Sequence, residues 1–329
     1  MERELTAAIE IADREGRLRR DAIGWSRRPL HRCNLEGIAR SHAFDYWCVM
    51  TAEVALTVLV ADVGLAGVAL VSVLELASGV TTERVYVRPG GLPARMPAST
   101  DGEITIDVRR MRLVVGARRL AAEARTITGR RIEVDVAIER AADHETVNVL
   151  VPWDETRFHF TSKQQALPAR GHVRVDARAY PFDPARDAFA CRDFGRGRRP
   201  AGIDWCWAFA SARRAGRTIG LNLGAQWTDG TGVTENAILV DGRVHKLAEA
   251  VAFELELSSA RAPWHIRTAG SDRVALTFTP ICERVVRVPP FVRLHQRVGH
   301  FDGTVRDDSG ASIALDGVLG LAESVRGRW

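Results

Sequence analysis

The chain has 329 residues, a net charge of +5 at pH 7 and 46% hydrophobic residues. That length suffices for two ordinary domains or one large all-β domain, so a sizeable core is available. Basic residues are spread along the chain and alternate with acidic ones, whereas nucleic-acid binding needs a clustered basic face with aromatic platforms. We therefore expect no nucleic-acid partner.

The five cysteines are odd in number and show no C-x-x-C spacing. This pattern indicates neither a disulfide framework nor a zinc site. The N-terminal residues are charged throughout and lack the apolar core of a secretion signal. Both observations favour a reducing cytoplasm as the location.

Residues 2–17 have the spacing of a short amphipathic helix, after which helical periodicity almost disappears. A first series of short apolar runs follows, each bounded by turn residues, at 45–60, 67–78, 83–88, 103–109, 111–116, 119–126 and 131–138. Many short strands at close spacing predict a sandwich or a closed antiparallel barrel.

The apolar segment from Val54 to Ala77 is long enough to span a membrane. Asp62 lies near its middle, however, and a carboxylate at bilayer depth costs at least about 2.5 kcal/mol. We therefore predict a hairpin of two buried strands, 54–61 and 67–76, and no stable membrane insertion.

A second series of apolar runs begins near residue 171, after a stretch that contains proline. Its members are 172–179, 202–213, 217–224, 234–240, 243–257, 263–268, 272–280, 284–288, 297–306 and 311–316. Because the two series are similar in length and strand number, we predict an all-β protein with two antiparallel barrels or sandwiches side by side. The predicted domains are residues 1–165 and 166–329.

The predicted strand at 203–210 carries Trp205 and Trp207 on one face and Asp204 on the other. Aromatic rings on one strand face most simply form part of the core. Alternatively they line an apolar ligand cavity, with Asp204 or a loop acid as its polar group. The sequence does not show which face points inward.

The block from Gly220 to Lys246 places a polar turn, Trp227-Thr-Asp-Gly-Thr-Gly, between two strand-like runs. Asp229 in this turn most simply bonds to nearby backbone, but an acid on a barrel rim can also donate a proton. Glu235 begins the second run, and if it points inward its burial demands a partner. Asp241-Gly marks a tight hairpin turn.

Polar side chains on strands of this block are further candidates for contact with a ligand: Asn222, Asn236, His245 and Lys246. Upstream, His159, Thr161 and Lys163 share one face of a predicted strand. A lone histidine there most simply has a structural role, and the histidines show no ligand spacing, so we predict no metal.

Only two of the 46 basic residues are lysines, Lys163 and Lys246. Where arginine replaces lysine so widely, a remaining lysine can mark a place where a compact ammonium is needed. Chance retention explains the presence of these two lysines equally well. Trp47 and Trp227 complete the set of candidate substrate-binding residues.

Several motifs together resemble the domain-of-unknown-function family 2804, and the resemblance covers nearly the whole chain. They are Trp25-Ser-Arg-Arg-Pro-Leu, Asp45-Tyr-Trp-Cys-Val, Phe160-Thr-Ser-Lys-Gln, Asp193-Phe-Gly-Arg-Gly, Asp204-Trp-Cys-Trp-Ala and the block from Gly220 to Lys246. The family is in turn similar in fold to two-barrel lipocalin-like proteins, which include carotenoid hydratases and Diels–Alder cyclases. This resemblance implies two lipocalin-like barrels but carries no catalytic residue across.

The sequence hypothesis is a cofactor-free hydratase, isomerase or cyclase that acts on an isoprenoid or polyketide-like substrate. Asp204, Asp229 or Glu235 would be its acid, and Trp205 and Trp207 would shape the cavity and stabilise positive charge. A pericyclic cyclase would need no acid. The alternative is a non-catalytic lipid or pigment carrier, and the sequence leaves the oligomeric state open.

Overall fold

The structure, a computed structural model, describes residues 2–38 and 41–328. Its strands, numbered β1 to β24 in chain order, form two large sheets and one small one. The first large sheet contains β2 (Gly24–Ser26), β4 (His42–Met50), β5 (Val54–Asp62), β6 (Ala66–Glu75), β7 (Val80–Pro89), β8 (Ile104–Val108), β9 (Met111–Val115), β10 (Arg119–Arg125), β11 (Arg131–Ile138), β12 (Val147–Pro152), β13 (Phe158–Val175), β14 (Arg178–Phe182) and β15 (Phe189–Arg198).

The second large sheet contains the remaining strands of the C-terminal part. They are β16 (Gly202–Arg214), β17 (Arg217–Ala225), β18 (Ala237–Val240), β19 (Arg243–Lys246), β20 (Val251–Glu254), β21 (Trp264–Thr268), β22 (Val274–Val288), β23 (Val292–Arg306) and β24 (Ser312–Arg328). The small sheet pairs β1 (Ile9–Glu10) with β3 (His31–Arg32). Single 3-10 turns lie at Arg20–Ala22 and Pro184–Arg186.

The two large sheets follow the same plan. In the first, the order is β7-β6-β5-β4-β15-β13-β11-β10-β9-β8, and in the second it is β19-β18-β17-β16-β24-β23-β22-β21-β20. Each sheet is antiparallel and curls as a half-barrel around its own apolar core. The prediction of an all-β chain with two antiparallel sheet units is confirmed.

The apolar segment near residue 54 is the predicted hairpin. Strands β5 and β6 pair antiparallel from Val54 opposite Glu75 to Asp62 opposite Gly67. Asp62 sits at the turn, where its carboxylate accepts a hydrogen bond from the Gly64 backbone N–H at 2.9 Å. In the described residues, no helix has the length and apolar character that a membrane crossing requires.

The predicted N-terminal helix is wrong. Residues near Leu5 run extended because the Leu5 N–H donates to the Trp25 carbonyl at 2.7 Å, and β1 pairs in parallel with β3. Asp13 then closes a turn by accepting hydrogen bonds from the N–H groups of Glu15 and Arg17. Backbone groups that find partners in neighbouring segments do not need a helix, and Asp competes with helical bonding in this way.

The change from one large sheet to the other falls between Arg198, the end of β15, and Gly202, the start of β16. The predicted domain limit at residue 165 instead lies inside β13, an 18-residue strand of the first sheet. Proline and a left-handed Ala166 interrupt the regular pattern there, where the pairing of β13 with β15 shifts register. That irregularity coincides with the proline-containing stretch at which the domain limit was predicted.

The two sheets pack against each other through side chains that point away from their own cores. On β16, Ala208 belongs to the core of the second sheet, whereas Trp207 and Phe209 contact a separate cluster with Cys48 and Cys191 of the first sheet. This alternation follows from the two-residue period of a strand. The aromatic face of β16 therefore points to the interface between the sheets.

Candidate active site

A cavity of about 280 Å³ lies between the two sheets. Strands β4, β5, β6, β13 and β15 contribute to one wall, and β16, β22, β23 and β24 contribute to the other. Most of the lining is apolar, and its rings belong to Phe44, Tyr46, Trp205, Trp207 and Trp227. A concave, mostly apolar space with a few polar groups is the usual form of a small-molecule site.

The polar part of the cavity begins on β13. His159, Thr161 and Lys163 line it together because alternate residues of a strand share a face. Lys163 lies opposite Asp193 of β15 in the sheet register. The Asp193 carboxylate accepts hydrogen bonds from Thr161 Oγ1 and Lys163 Nζ, both at 2.8 Å.

The Lys163 ammonium is shared between two carboxyl groups. Its Nζ lies 2.8 Å from Asp193 Oδ2, 3.1 Å from Glu235 Oε2 and 4.2 Å from the centroid of the Trp207 ring. Burial lowers the pKa of Lys163, but Asp193 and Glu235 oppose this effect and leave that pKa raised. Lys163 is therefore a fixed positive charge at neutral pH.

Glu235 is buried at the end of the loop between β17 and β18. Its Oε1 accepts a hydrogen bond from Trp227 Nε1 at 3.0 Å. Burial raises the pKa of Glu235, and although Lys163 and Trp227 oppose the rise, the pKa remains above its ordinary value. Glu235 Oε2 lies 3.1 Å from Lys163 Nζ, so each oxygen of this carboxyl group faces a donor.

Gly224 leaves room for this carboxyl group. A Cβ atom built on Gly224 would overlap Glu235 Oε1, so any larger residue would displace the acid. Asn222, two residues earlier on β17, donates to the Glu235 carbonyl at 2.8 Å and accepts from Trp207 Nε1 at 2.9 Å. The glycine and the asparagine together fix the loop end and one aromatic wall.

A second buried acid, Glu323 on β24, lines another part of the cavity. It accepts hydrogen bonds from Trp205 Nε1 at 3.0 Å and Gln296 Nε2 at 2.9 Å. Burial raises the pKa of Glu323, with those two donors opposing the rise. The cavity thus contains two carboxyl groups that burial holds toward their neutral form.

Arg199 supplies a second cation to the cavity. Its Nη2 donates to His159 Nε2 at 3.2 Å, and its guanidinium lies 4.9 Å from the Phe44 ring centroid. Burial lowers the pKa of Arg199 to about 10, which leaves it charged at neutral pH. Burial also lowers the pKa of His159 well below its ordinary value, so this imidazole is neutral and accepts the bond.

The structure brings one group of predicted residues together. Glu235, Lys163, Trp205, Trp207 and Trp227 all line the cavity. Asn222, which lies behind the lining, supports it through the contacts described above.

The other two predicted acids lie elsewhere. The β16 alternation points Asp204 away from Trp205, and its carboxylate pairs at 2.6 Å with the Nη1 atom of Arg328. Asp229 accepts a hydrogen bond from the Gln226 N–H at 3.1 Å within its own turn. Neither lines the cavity, so a role for either in its chemistry has no structural support.

Four predicted substrate-binding residues also lie outside the cavity lining. Trp47 is fully buried in the core of the first sheet. Asn236 accepts a hydrogen bond from the Gly224 N–H at 2.6 Å. His245 lies 3.3 Å from Asp308 Oδ2, and Lys246 Nζ lies 3.0 Å from Glu2 Oε2.

Sequence reasoning gave no role to Asp193, Glu323 or Arg199. Glu323 does carry a readable signal, because it alternates with Leu321 and Val325 along an apolar strand face. Arg199 follows β15 among many other arginines and carries no such signal. In the described residues, no three His, Cys, Asp or Glu side chains converge as metal ligands would.

Comparison with known proteins gives a family but no activity. None of the curated proteins searched matches the chain. Kievitone hydratase from Nectria haematococca shares 11% identity with a TM-score of 0.47 over 89% of each chain. CghA with Sch210972 shares 12% identity with a TM-score of 0.44 over 88% of each chain, and scores of this size carry no argument about function.

The family comparison covers almost all of the sequence. The family described as Domain of unknown function (DUF2804) matches residues 2–329. The match includes the loop that carries Glu235 and the strand that carries Lys163, and it confirms the resemblance found in the sequence. The chain belongs to the DUF2804 family.

Proposed function

We propose that the protein is an enzyme that binds an apolar small molecule between its two sheets and transfers a proton to it, as a hydratase, isomerase or cyclase does. One observation carries the proposal. The buried carboxyl group of Glu235, with its pKa raised by burial, faces an aromatic cavity. A carboxylic acid with a raised pKa is suited to general acid catalysis.

The walls provide binding and charge stabilisation. An apolar substrate gains roughly 25 cal/mol for each Å² of surface that it removes from water. The Trp205 and Trp207 rings face the same space, and indole rings stabilise a nearby positive charge. A carbocation formed by protonation would therefore lie against these rings.

The proton transfer uses groups already in place. The Glu235 carboxyl group gives its proton to one carbon of a substrate double bond, whose electron pair forms the new C–H bond and leaves the neighbouring carbon positive. The carboxylate left on Glu235 is stabilised by the Lys163 ammonium 3.1 Å away and by Trp227 Nε1. Donors placed where charge develops are a large source of catalysis.

Three endings of the reaction return Glu235 to its acid form. Water adds to the cation and releases a proton in a hydratase, a neighbouring C–H proton leaves in an isomerase, and a second double bond attacks before proton loss in a cyclase. In each case the proton released goes back to the Glu235 carboxylate. Glu323, the second buried carboxyl group of the cavity, is the alternative proton donor that the experiment must distinguish from Glu235.

The test is incubation of the purified protein with a cell extract, followed by mass spectrometry of compounds bound and released. The wild type should convert one apolar compound, whereas Glu235→Gln should bind it unchanged, because an amide donates no acidic proton. Asp204→Asn, an acid-to-amide change outside the cavity, is the matched control and should convert it normally.

Two other results would reject proton transfer from Glu235. A compound that the wild type binds but never changes indicates a carrier. Full turnover by Glu235→Gln indicates a pericyclic reaction, or proton donation by Glu323, and the Glu323→Gln variant separates these two.

A further inference from the structure

Arg199 places a positive charge at the junction of the two sheets. It lies in the short link between Arg198, the last residue of β15, and Gly202, the first residue of β16. Its guanidinium lies 4.9 Å from the Phe44 ring centroid and 6.0 Å from the Trp205 ring centroid. Phe44 belongs to the first sheet and Trp205 to the second, so the cation faces the cavity where both sheets line it.

The hydrogen bonds of this guanidinium are incomplete. One of its five N–H donors, from Nη2, reaches His159 Nε2 at 3.2 Å. The buried Nε has no hydrogen-bond partner in the described part of the chain. Because burial lowers the pKa of His159, the imidazole is neutral, and it accepts a hydrogen bond without bringing a negative charge. The guanidinium therefore retains donors for a further acceptor.

In the described residues, three acidic side chains line the cavity, and each has other partners. Asp193 and Glu235 share the Lys163 ammonium at 2.8 and 3.1 Å. Glu323 accepts hydrogen bonds from an indole and an amide. No carboxylate of the described chain forms an ion pair with Arg199. A charge in a mostly apolar space is costly unless an opposite charge accompanies it.

We propose that Arg199 binds a carboxylate group of the substrate, so that the substrate is an apolar molecule with one acidic group. A carboxylate presents two oxygens to the fork of N–H donors, an arrangement that guanidinium favours. One unpaired cation matches one negative charge, whereas a doubly charged phosphate would bring an excess charge into the apolar cavity. This inference rests on the proposed function, because it specifies the substrate on which that function acts.

The carboxylate site is separate from the acid that transfers the proton in the proposed function. Two side chains connect them. His159 accepts the hydrogen bond from Arg199, and its ring centroid lies 6.1 Å from that of Trp227, whose Nε1 donates to Glu235. The anionic group and the reacting double bond are therefore different parts of the substrate. Binding at both places gives the substrate one orientation, which Arg199 sets as a substrate-binding residue.

The test is equilibrium dialysis of the full chain with 2-naphthoate and, separately, with 2-naphthamide. The two probes share one apolar ring system, and only 2-naphthoate is negatively charged at neutral pH. We expect 2-naphthoate to bind about tenfold more tightly than 2-naphthamide, as a charge-assisted hydrogen bond provides. 2-Naphthyl phosphate should bind no more tightly than 2-naphthoate, and tighter binding of the phosphate would contradict the carboxylate assignment.

Arg199→Met replaces the cation by an apolar side chain of similar length. It should lower the affinity for 2-naphthoate by about tenfold and leave that for 2-naphthamide unchanged, which also shows that the cavity is intact. Arg328→Met is the matched control, because it changes the net charge equally but removes an arginine that pairs with Asp204 outside the cavity lining. It should keep the preference for 2-naphthoate. Arg199→Gln, which keeps an N–H donor for His159, provides the same test if Arg199→Met does not fold.

Four results would overturn the inference. They are a wild type that binds neither probe, a wild type without a preference for 2-naphthoate, a preference that survives removal of the Arg199 cation, and an equal loss of preference in Arg328→Met.

The outcome is separable from that of the proposed function, because the dialysis involves no turnover. Glu235→Gln should keep the preference for 2-naphthoate, since Glu235 bonds to Lys163 and Trp227 and not to Arg199. A wild type that shows the preference but converts no compound of the cell extract refutes the proposed function alone. Conversely, conversion of an uncharged compound by a wild type without the preference refutes the carboxylate site alone.

Discussion

Two consecutive residues of strand β15 enter buried ion pairs on opposite sides of the first sheet. Arg192 is fully buried and gives a bidentate pair with Asp45 at 2.8 and 2.6 Å, while its Nη1 donates to the Thr100 carbonyl at 2.6 Å. Asp193 points the other way, into the cavity, where it shares the Lys163 ammonium with Glu235.

The difference lies in how completely each group is paired. On the Arg192 side, one cation meets one carboxylate in the geometry that guanidinium prefers. On the Asp193 side, two carboxyl groups compete for one ammonium, and Glu235 retains a raised pKa. The first arrangement stabilises the fold, whereas the second leaves the Glu235 carboxyl group closer to its neutral form, as the proposed proton transfer requires.

The largest expected effect is on the completely paired side. Asp45→Ala leaves a buried guanidinium without its partner, and we expect the free energy of unfolding to fall by about 3 to 5 kcal/mol. Denaturant unfolding followed by tryptophan fluorescence measures it. Asp135→Ala, at an exposed pair with Arg119, should have little effect, and a similar loss in both variants would contradict the comparison.

Lys163→Met should come next, with a loss of about 2 to 3 kcal/mol at neutral pH, because two buried carboxyl groups then face each other. Lys163 lowers the pKa of Glu235, so without it that pKa rises further and the folded protein holds its proton more tightly. The deficit should therefore shrink as the pH falls toward 4.5. Lys163→Met/Asp193→Asn should recover stability, and a deficit that does not depend on pH would reject the shared-cation interpretation.

Glu235→Gln should change stability less than Lys163→Met, and the direction of the change should depend on pH. Because the folded pKa of Glu235 lies above its unfolded value of 4.5, the wild type loses stability as the pH rises from 4.5 through the folded pKa. The amide has no such loss. Unfolding curves between pH 4 and pH 9 should show the variant gaining on the wild type, and parallel curves would mean that the pKa is not raised.

The smallest effect is expected for Asp204→Asn. Its ion pair with Arg328 is half-exposed, and such pairs contribute little. Both the unfolding midpoint and the turnover should match the wild type within error. A loss of turnover with normal stability would restore Asp204 as a candidate acid despite its position.

The all-β fold was predictable because period-two patterns and turn residues repeat along the chain. The hairpin at Asp241-Gly is an example, since Asp241 and Gly242 both adopt positive φ values, as a two-residue turn requires. The N-terminal segment was not predictable, because its partners near Trp25 and His31 determine its extended form.

Part of the candidate site was predictable from the sequence, because Glu235 and Lys163 are charged side chains among apolar neighbours. The rest was not predictable, because it depends on which strands pair and on how the two sheets meet. Asp193 becomes a residue of the candidate site because the register sets it opposite Lys163. Arg199 lines the same cavity because the two sheets meet there. The sequence also does not distinguish Trp47 from Trp205. Trp47 lies in the core of the first sheet, whereas Trp205 lines the cavity.

Both lysine side chains of the chain are buried in ion pairs, since that of Lys163 is 5% exposed and that of Lys246 is 7% exposed. A reagent that acylates side-chain amines therefore has little to react with on the surface. Lys163 would become labelled only when the cavity admits the reagent and its ion pairs open, and an occupied cavity would prevent this. Labelling at this one position, read by peptide mass, thus offers a way to screen compound collections for the natural ligand without knowing the reaction.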